Sequence, residues 1–126
     1  MEADVQVARE LTAYYYPKCG TCRAALKSLG LKGVSPALVN VVEAPPSAEE
    51  LRRLWKMSGL PLRKFFNISG EVYKEMNLKD RLPKMSDDEM IELLASNGRL
   101  IKRPIITDGE RVTVGYNEDE FIEKWG

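Results

Sequence analysis

Two cysteines three positions apart, in Cys19-Gly20-Thr21-Cys22, stand at the seam between a β-prone segment and a helical one. Ahead of them Leu11–Tyr16 (LTAYYY) is aromatic-rich and reads as a strand, which Pro17 stops. Lys18–Cys22 then forms a tight polar turn containing Gly20. From Cys22 onward Ala25, Leu26 and Leu29 recur at helical spacing, and Gly30 or Gly33 supplies the stop. Ala37–Val42 (ALVNVV) reads as a second strand, expected to be buried. Strand, turn, helix and strand together spell a parallel crossover, right-handed by the usual rule.

The middle of the chain is helical. Ser47 with Glu50 forms a capping-box signature ahead of Leu51, Leu54 and Trp55, which share one helix face. Pro61 opens a short segment with Leu62, Phe65 and Phe66, and Gly70 punctuates before Val72–Leu78. Ser86 with Glu89 repeats the capping signature before Met90, Ile91, Leu93 and Leu94, and Asn97-Gly98 is expected to cap that helix's end. Strands return at Ile105–Thr107 and Arg111–Val114, separated by the hairpin signal Asp108-Gly109. Asn117 with Glu120 starts a last helix, with Phe121, Ile122 and Trp125 expected to face inward. The order β-α-β, helical block, β-β-α is that of a thioredoxin-like α/β fold. It predicts one domain over residues 1–126, with residues 47–99 as a helical insertion and residues 1–10 as an extension or lead-in to the first strand.

Composition narrows the class of function. With 126 residues, the chain suits one domain that buries roughly two-thirds of its unfolded surface without a metal or disulfide scaffold. Basic and acidic residues balance at 19 each, so a direct nucleic-acid footprint is not expected. No apolar run reaches bilayer length, and Met1–Glu10 lacks the apolar core of a secretory signal, so a cytoplasmic monomer away from membranes is the expectation. Histidine is absent, which removes imidazole catalysis. With only two cysteines there are too few soft ligands for an intrachain zinc site, so neither metal nor cofactor is expected.

A Cys-x-x-Cys pair at a strand-to-helix turn has a physical logic. Cys19 sits where unsatisfied N–H groups and the helix dipole favour negative charge, which raises the thiolate fraction. Cys22, one turn inside, faces the same edge and reaches the first sulfur. Gly20 keeps the turn narrow and, with Thr21, leaves backbone N–H groups open to an incoming anion or mixed disulfide. The alternatives are an inert pair or a structural disulfide. A loop this small constrains an unfolded chain little, and structural disulfides are unusual in the cytosol.

Arg103-Pro104 is the second feature. Thioredoxin-like folds place a cis proline just before the third strand, beside the active turn, and Pro104 directly precedes Ile105 and Ile106. A cis bond is therefore expected there, with the Arg103 guanidinium turned toward the cysteines to stabilise a thiolate or bind an oxyanion. Arg23 and Lys18 flank the turn and add positive potential. Proton transfer falls to water or a carboxylate, with Glu43 and Asp80 as candidates.

Taken together, Tyr16-Pro-Lys-Cys-Gly-Thr-Cys-Arg23, Arg103-Pro-Ile105 and Val114-Gly-Tyr-Asn-Glu-Asp-Glu120 resemble the arsenate reductase (ArsC)/Spx family, over about Leu11 to Trp125. Leu62–Asn67, Leu93–Ser96 and Ile101–Pro104 look most like its small, uncharacterised Spx/MgsR-like members. The resemblance implies a reactive cysteine at Cys19 and an oxyanion-facing arginine at Arg103. Its second and third arginine positions fall on Asn67 and near Gly115, leaving Arg63 or Arg111 as candidate substitutes. Cys22 replaces the reductases' serine, which favours an intramolecular disulfide over a glutathione-requiring step. The implied reductants are thioredoxin, glutaredoxin or a low-molecular-weight thiol. An Spx-type role implies instead a redox-sensing regulator that contacts the C-terminal domain of the RNA polymerase α subunit, for which the cluster Arg52, Arg53 and Lys56 is a candidate surface.

Overall fold

A computed structural model describes residues 10–126. Four strands, β1 (Thr12–Tyr15), β2 (Ala37–Asn40), β3 (Ile105–Thr107) and β4 (Val112–Val114), form one mixed sheet in the order β2-β1-β3-β4. β1 runs parallel to β2 and antiparallel to β3, which pairs antiparallel with β4. Six helices accompany them among the described residues: α1 (Gly20–Leu31), α2 (Ala48–Ser58), α3 (Glu71–Glu75), α4 (Leu78–Arg81), α5 (Asp87–Ser96) and α6 (Glu118–Trp125). This is the thioredoxin-like arrangement, with α2 to α5 lying between β2 and β3 in the chain. The expected extension over residues 1–10 lies, apart from Glu10, outside the described residues. No helix among the described residues is long and apolar enough to cross a membrane.

The two-residue period of the strands sorts side chains onto two faces. Ala13 and its cross-strand partner Ile106 pack with Ala25 and Leu29 of α1 and with Phe121 and Trp125 of α6. Tyr14, Ile105 and Val112 point the other way, into a larger core with Leu51, Leu54, Phe65, Phe66, Ile91 and Leu94. Each such fully buried Leu, Ile or Phe side chain contributes about 1.5–3 kcal/mol of transfer free energy. Thr113 is buried on the α6 face, where its Oγ1 accepts a hydrogen bond from Trp125 Nε1 at 3.3 Å.

Several local expectations change in the folded chain. The first helix begins at Gly20, two residues before Cys22, with Cys19 as its N-cap, and Gly33 at φ +78° follows its end. β2 is an edge strand rather than a buried one, and Leu38 is 52% exposed. Only one neighbour covers it, so burial resumes just past the strand at Val41. Ser86 and Glu89 form a complete capping box. At α2 only half of one exists: Ser47 caps Glu50 N–H, but the Glu50 carboxylate accepts from the buried Tyr14 hydroxyl at 2.6 Å instead of returning to Ser47. A buried phenol needs a partner, and the carboxylate meets that need. On α6, Phe121 and Trp125 face inward one turn apart, whereas Ile122 falls off that stripe and is exposed.

Asn97 does follow the last residue of α5, but Gly98 is not there for a left-handed cap. It opens a 3₁₀ turn, Gly98–Leu100, and a Cβ at this position would lie 1.7 Å from the Val41 carbonyl oxygen. Only glycine lets these two backbones approach so closely. The contact fixes where Arg99 and the following chain leave the helical block.

Candidate active site

Cys19 caps α1 through its sulfur. Its backbone is extended (φ −99°, ψ 117°), and its Sγ accepts the backbone N–H of Cys22 at 3.3 Å, the bond a serine or aspartate makes at other helix starts. The turn ahead is held by Cys19 N–H donating to the Tyr16 carbonyl at 3.1 Å. Gly20 and Thr21, the first two helical residues, have no acceptor for their N–H groups inside the helix. Cys19 is partly exposed, whereas Cys22 is fully buried one turn further in.

The two thiols are driven apart in acidity. Burial pushes Cys19 up, but hydrogen bonds from the Cys22 side chain and backbone, followed by the charge and hydrogen bond of Arg103, hold it below the ordinary thiol value. Burial pushes Cys22 well above that value, and the hydrogen bond it donates to Cys19 acts in the same direction. The geometry therefore favours a thiolate at Cys19 beside a protonated thiol at Cys22.

Arg103 reaches this turn because of sheet register. Tyr14 pairs with Ile105, so the chain before β3 runs back past the end of β1 and sets Arg103 opposite Tyr16. Its guanidinium carbon lies 5.2 Å from the Tyr16 ring centroid, and Nη1 donates to the Ile101 carbonyl at 3.5 Å. Its buried Nε has no hydrogen-bond partner. The Arg103–Pro104 peptide is cis, and the Pro104 carbonyl accepts Gly115 N–H at 2.8 Å. Arg23 folds across the turn instead of standing open: its Nη1 donates to the Pro17 carbonyl at 3.1 Å.

A family model described as the ArsC family matches residues 14–123. The chain belongs to the ArsC family. It is 58% identical over 115 residues to the uncharacterized protein YusI of Bacillus subtilis, covering 91% of this chain and 98% of that one. Among solved structures, an ArsC family related protein from Bacteroides fragilis superimposes with a TM-score of 0.88 at 40% identity, covering 90% and 96% of the two chains. An arsenate reductase from Vibrio cholerae gives a TM-score of 0.81 at 33% identity, covering 91% and 97%.

The other cations expected from the ArsC resemblance lie elsewhere. Asn67 closes a turn, its carbonyl accepting Gly70 N–H at 3.1 Å. Over Gly115, at φ +83°, the space a side chain would enter is occupied by Lys102, whose Cε would lie 3.3 Å from a Cβ there. Arg111 sits at the opposite end of the sheet, paired with Asp108 at 2.9 Å and stacked on Trp125, because the β3–β4 hairpin lies beside the start of β1. Arg63 lines a separate cavity with Leu62, Tyr73 and Met90. Neither Glu43 nor Asp80 has a hydrogen bond or ion pair to the cysteine turn among the described residues. What the sequence reading missed is Arg99, whose guanidinium carbon is 5.9 Å from the same Tyr16 ring that Arg103 contacts. Nothing in the linear sequence brings Arg99 and Tyr16 together; the Gly98–Val41 contact and the β3 register do.

Proposed function

We propose that this ArsC-family chain is a cytoplasmic thiol–disulfide redox protein in which Cys19 is the nucleophile and Cys22 the resolving thiol. One observation carries the reading: Cys19 Sγ, partly exposed, takes hydrogen bonds from Cys22 while Cys22 itself is buried. The Cys19 thiolate attacks one sulfur of an oxidised substrate, forms a mixed disulfide, and expels the other sulfur as a thiolate. Cys22 then loses its proton to that leaving thiolate or to water and attacks Cys19 Sγ. The Cys19–Cys22 disulfide forms and the second substrate sulfur leaves, so two electrons pass to the substrate. An external dithiol or low-molecular-weight thiol, of the thioredoxin or glutaredoxin kind, returns the pair to its reduced form.

In this scheme Arg103 stabilises the thiolate. Gly20 and Thr21 offer backbone donors to the substrate, Pro104 shapes the wall beside them, and Arg23 fastens the turn. Arsenate reduction is a narrower form of the same chemistry, motivated by the arsenate reductase relatives. It is less supported, because of the three arginine positions the resemblance implies only Arg103 is filled, and a doubly charged oxyanion wants several bidentate donors. A polymerase-contact role finds less support again: Arg52 is paired with Asp88 and Arg53 with Glu50, so two of the three charges in that cluster are offset within the chain.

Trapping tests the proposal. Cys22→Ser, expressed in cells and quenched with acid, should accumulate mixed disulfides through Cys19, and Cys19→Ser should accumulate none. Equal yields from both variants, or none from either, would remove the reading.

A further inference from the structure

The Tyr16 ring has two guanidinium groups against it. Their carbons lie 5.9 Å (Arg99) and 5.2 Å (Arg103) from one centroid, so they are separated by no more than the sum of those distances. Two like charges repel, and a ring with a negative face is one of the few neutral groups that attracts both. Among the described residues neither arginine has a carboxylate partner, unlike Arg52, Arg53 and Arg111. Arg103 carries in addition a buried Nε with no acceptor. Tyr16 also supplies the carbonyl that holds Cys19 N–H, so the ring bearing both cations is anchored to the nucleophile's own turn.

A guanidinium held over a ring keeps N–H groups at its own rim for a carboxylate. Arg103 commits Nη1 to the Ile101 carbonyl, whereas the Arg99 side chain donates to no acceptor among the described residues. An anion between the two groups lies within about 8 Å, one Debye length at physiological salt, of both. We propose that Arg99 and Arg103 form an anion-recognition recess beside Cys19, and that Arg99 is the residue setting a preference for thiol and disulfide substrates that carry a carboxylate near sulfur. Arg103 serves the sulfur as well as the substrate. Arg99, exposed at the rim, touches only the substrate's charged group. The inference rests on the proposed redox role of Cys19 and names the substrate class of that site.

Matched alkylating reagents separate the two claims. Iodoacetamide and iodoacetate both transfer a two-carbon group to the Cys19 thiolate with loss of iodide, and differ in that iodoacetate bears the carboxylate. The ratio of their rates at Cys19, read by mass spectrometry on the reduced full-length protein, cancels changes in thiolate fraction. Arg99→Gln should lower the iodoacetate-to-iodoacetamide ratio about three- to tenfold, with the iodoacetamide rate little changed. Arg99→Lys should restore part of the loss, and added salt should depress the wild-type ratio more than that of Arg99→Gln. A ratio unchanged in Arg99→Gln would overturn the recess while leaving the redox role intact. A sluggish iodoacetamide reaction in the wild type would strike at the redox role instead.

Discussion

The backbone N–H of Cys22 points at Cys19 Sγ across 3.3 Å, so the donor that favours the thiolate belongs to the helix itself. It is positioned by the first turn of α1 rather than by a side-chain rotamer, and it comes from the residue whose own sulfur completes the pair. Arg103 adds a charge delivered from a distant strand end. Local helix geometry thus supplies one part of the acidity and tertiary register the other.

The two parts are separable by titration. In reduced protein, the rate of Cys19 alkylation by neutral iodoacetamide is expected to rise with a midpoint below that of an ordinary free thiol, while Cys22, pushed up by burial, stays unmodified through that range. Arg103→Gln removes the charge and shortens the side chain but keeps the helix donor, so its midpoint is expected to move upward. An unshifted midpoint would mean that Arg103 does not act on the sulfur.

Gly98 is expected to be among the least replaceable positions outside the site. A Cβ there would lie 1.7 Å from Val41 O and 2.6 Å from Val41 C, so backbone must move. Gly98→Ala is expected to cost about 3 kcal/mol, seen as a lower urea midpoint. Gly109→Ala is the control: φ is +94° but the space is open, and the strain alone costs about 1–2 kcal/mol. Equal losses at the two positions would contradict the close-approach argument.

Glu118 ties α6 to α1. Its carboxylate accepts from Lys32 at 2.6 Å, from the Ser28 hydroxyl at 2.5 Å and from the Tyr116 hydroxyl at 2.6 Å, and these hydrogen bonds lower its pKa from 4.5 to about 2. A carboxyl depressed in the folded state contributes stability that is complete above its unfolded value and is lost as pH falls toward its folded value. The contribution is therefore expected to fade between about pH 4.5 and pH 2. Urea midpoints of the wild type should fall more steeply across that window than those of Glu118→Gln; parallel curves would show that the cluster is not coupled to folding.

The candidate site is legible where its logic is local. Cys19 at a helix start follows from Pro17, Gly20 and the Ala25–Leu29 spacing, with the boundary off by two residues because a cysteine is not a usual N-cap. Arg103 was readable because a proline ahead of a β-prone run marks a known place in the fold. Arg99 was not, since its meeting with Tyr16 depends on the Gly98 contact and the register between β1 and β3. The exposure of β2 is not legible for a related reason: an apolar run looks the same at the edge of a sheet as at its centre. Glu50 shows a cap signature overruled by a buried tyrosine from another element.

Cys19 and Cys22 are expected to form one reversible two-electron couple. Equilibrating the protein across a graded series of thiol–disulfide buffers, quenching with acid and weighing the products by mass measures that couple. The expected result is a single transition in which the monomer loses two hydrogens, abolished by Cys19→Ser and by Cys22→Ser alike. Intermolecular dimers in place of that species, or two thiols persisting at the oxidising end, would contradict it.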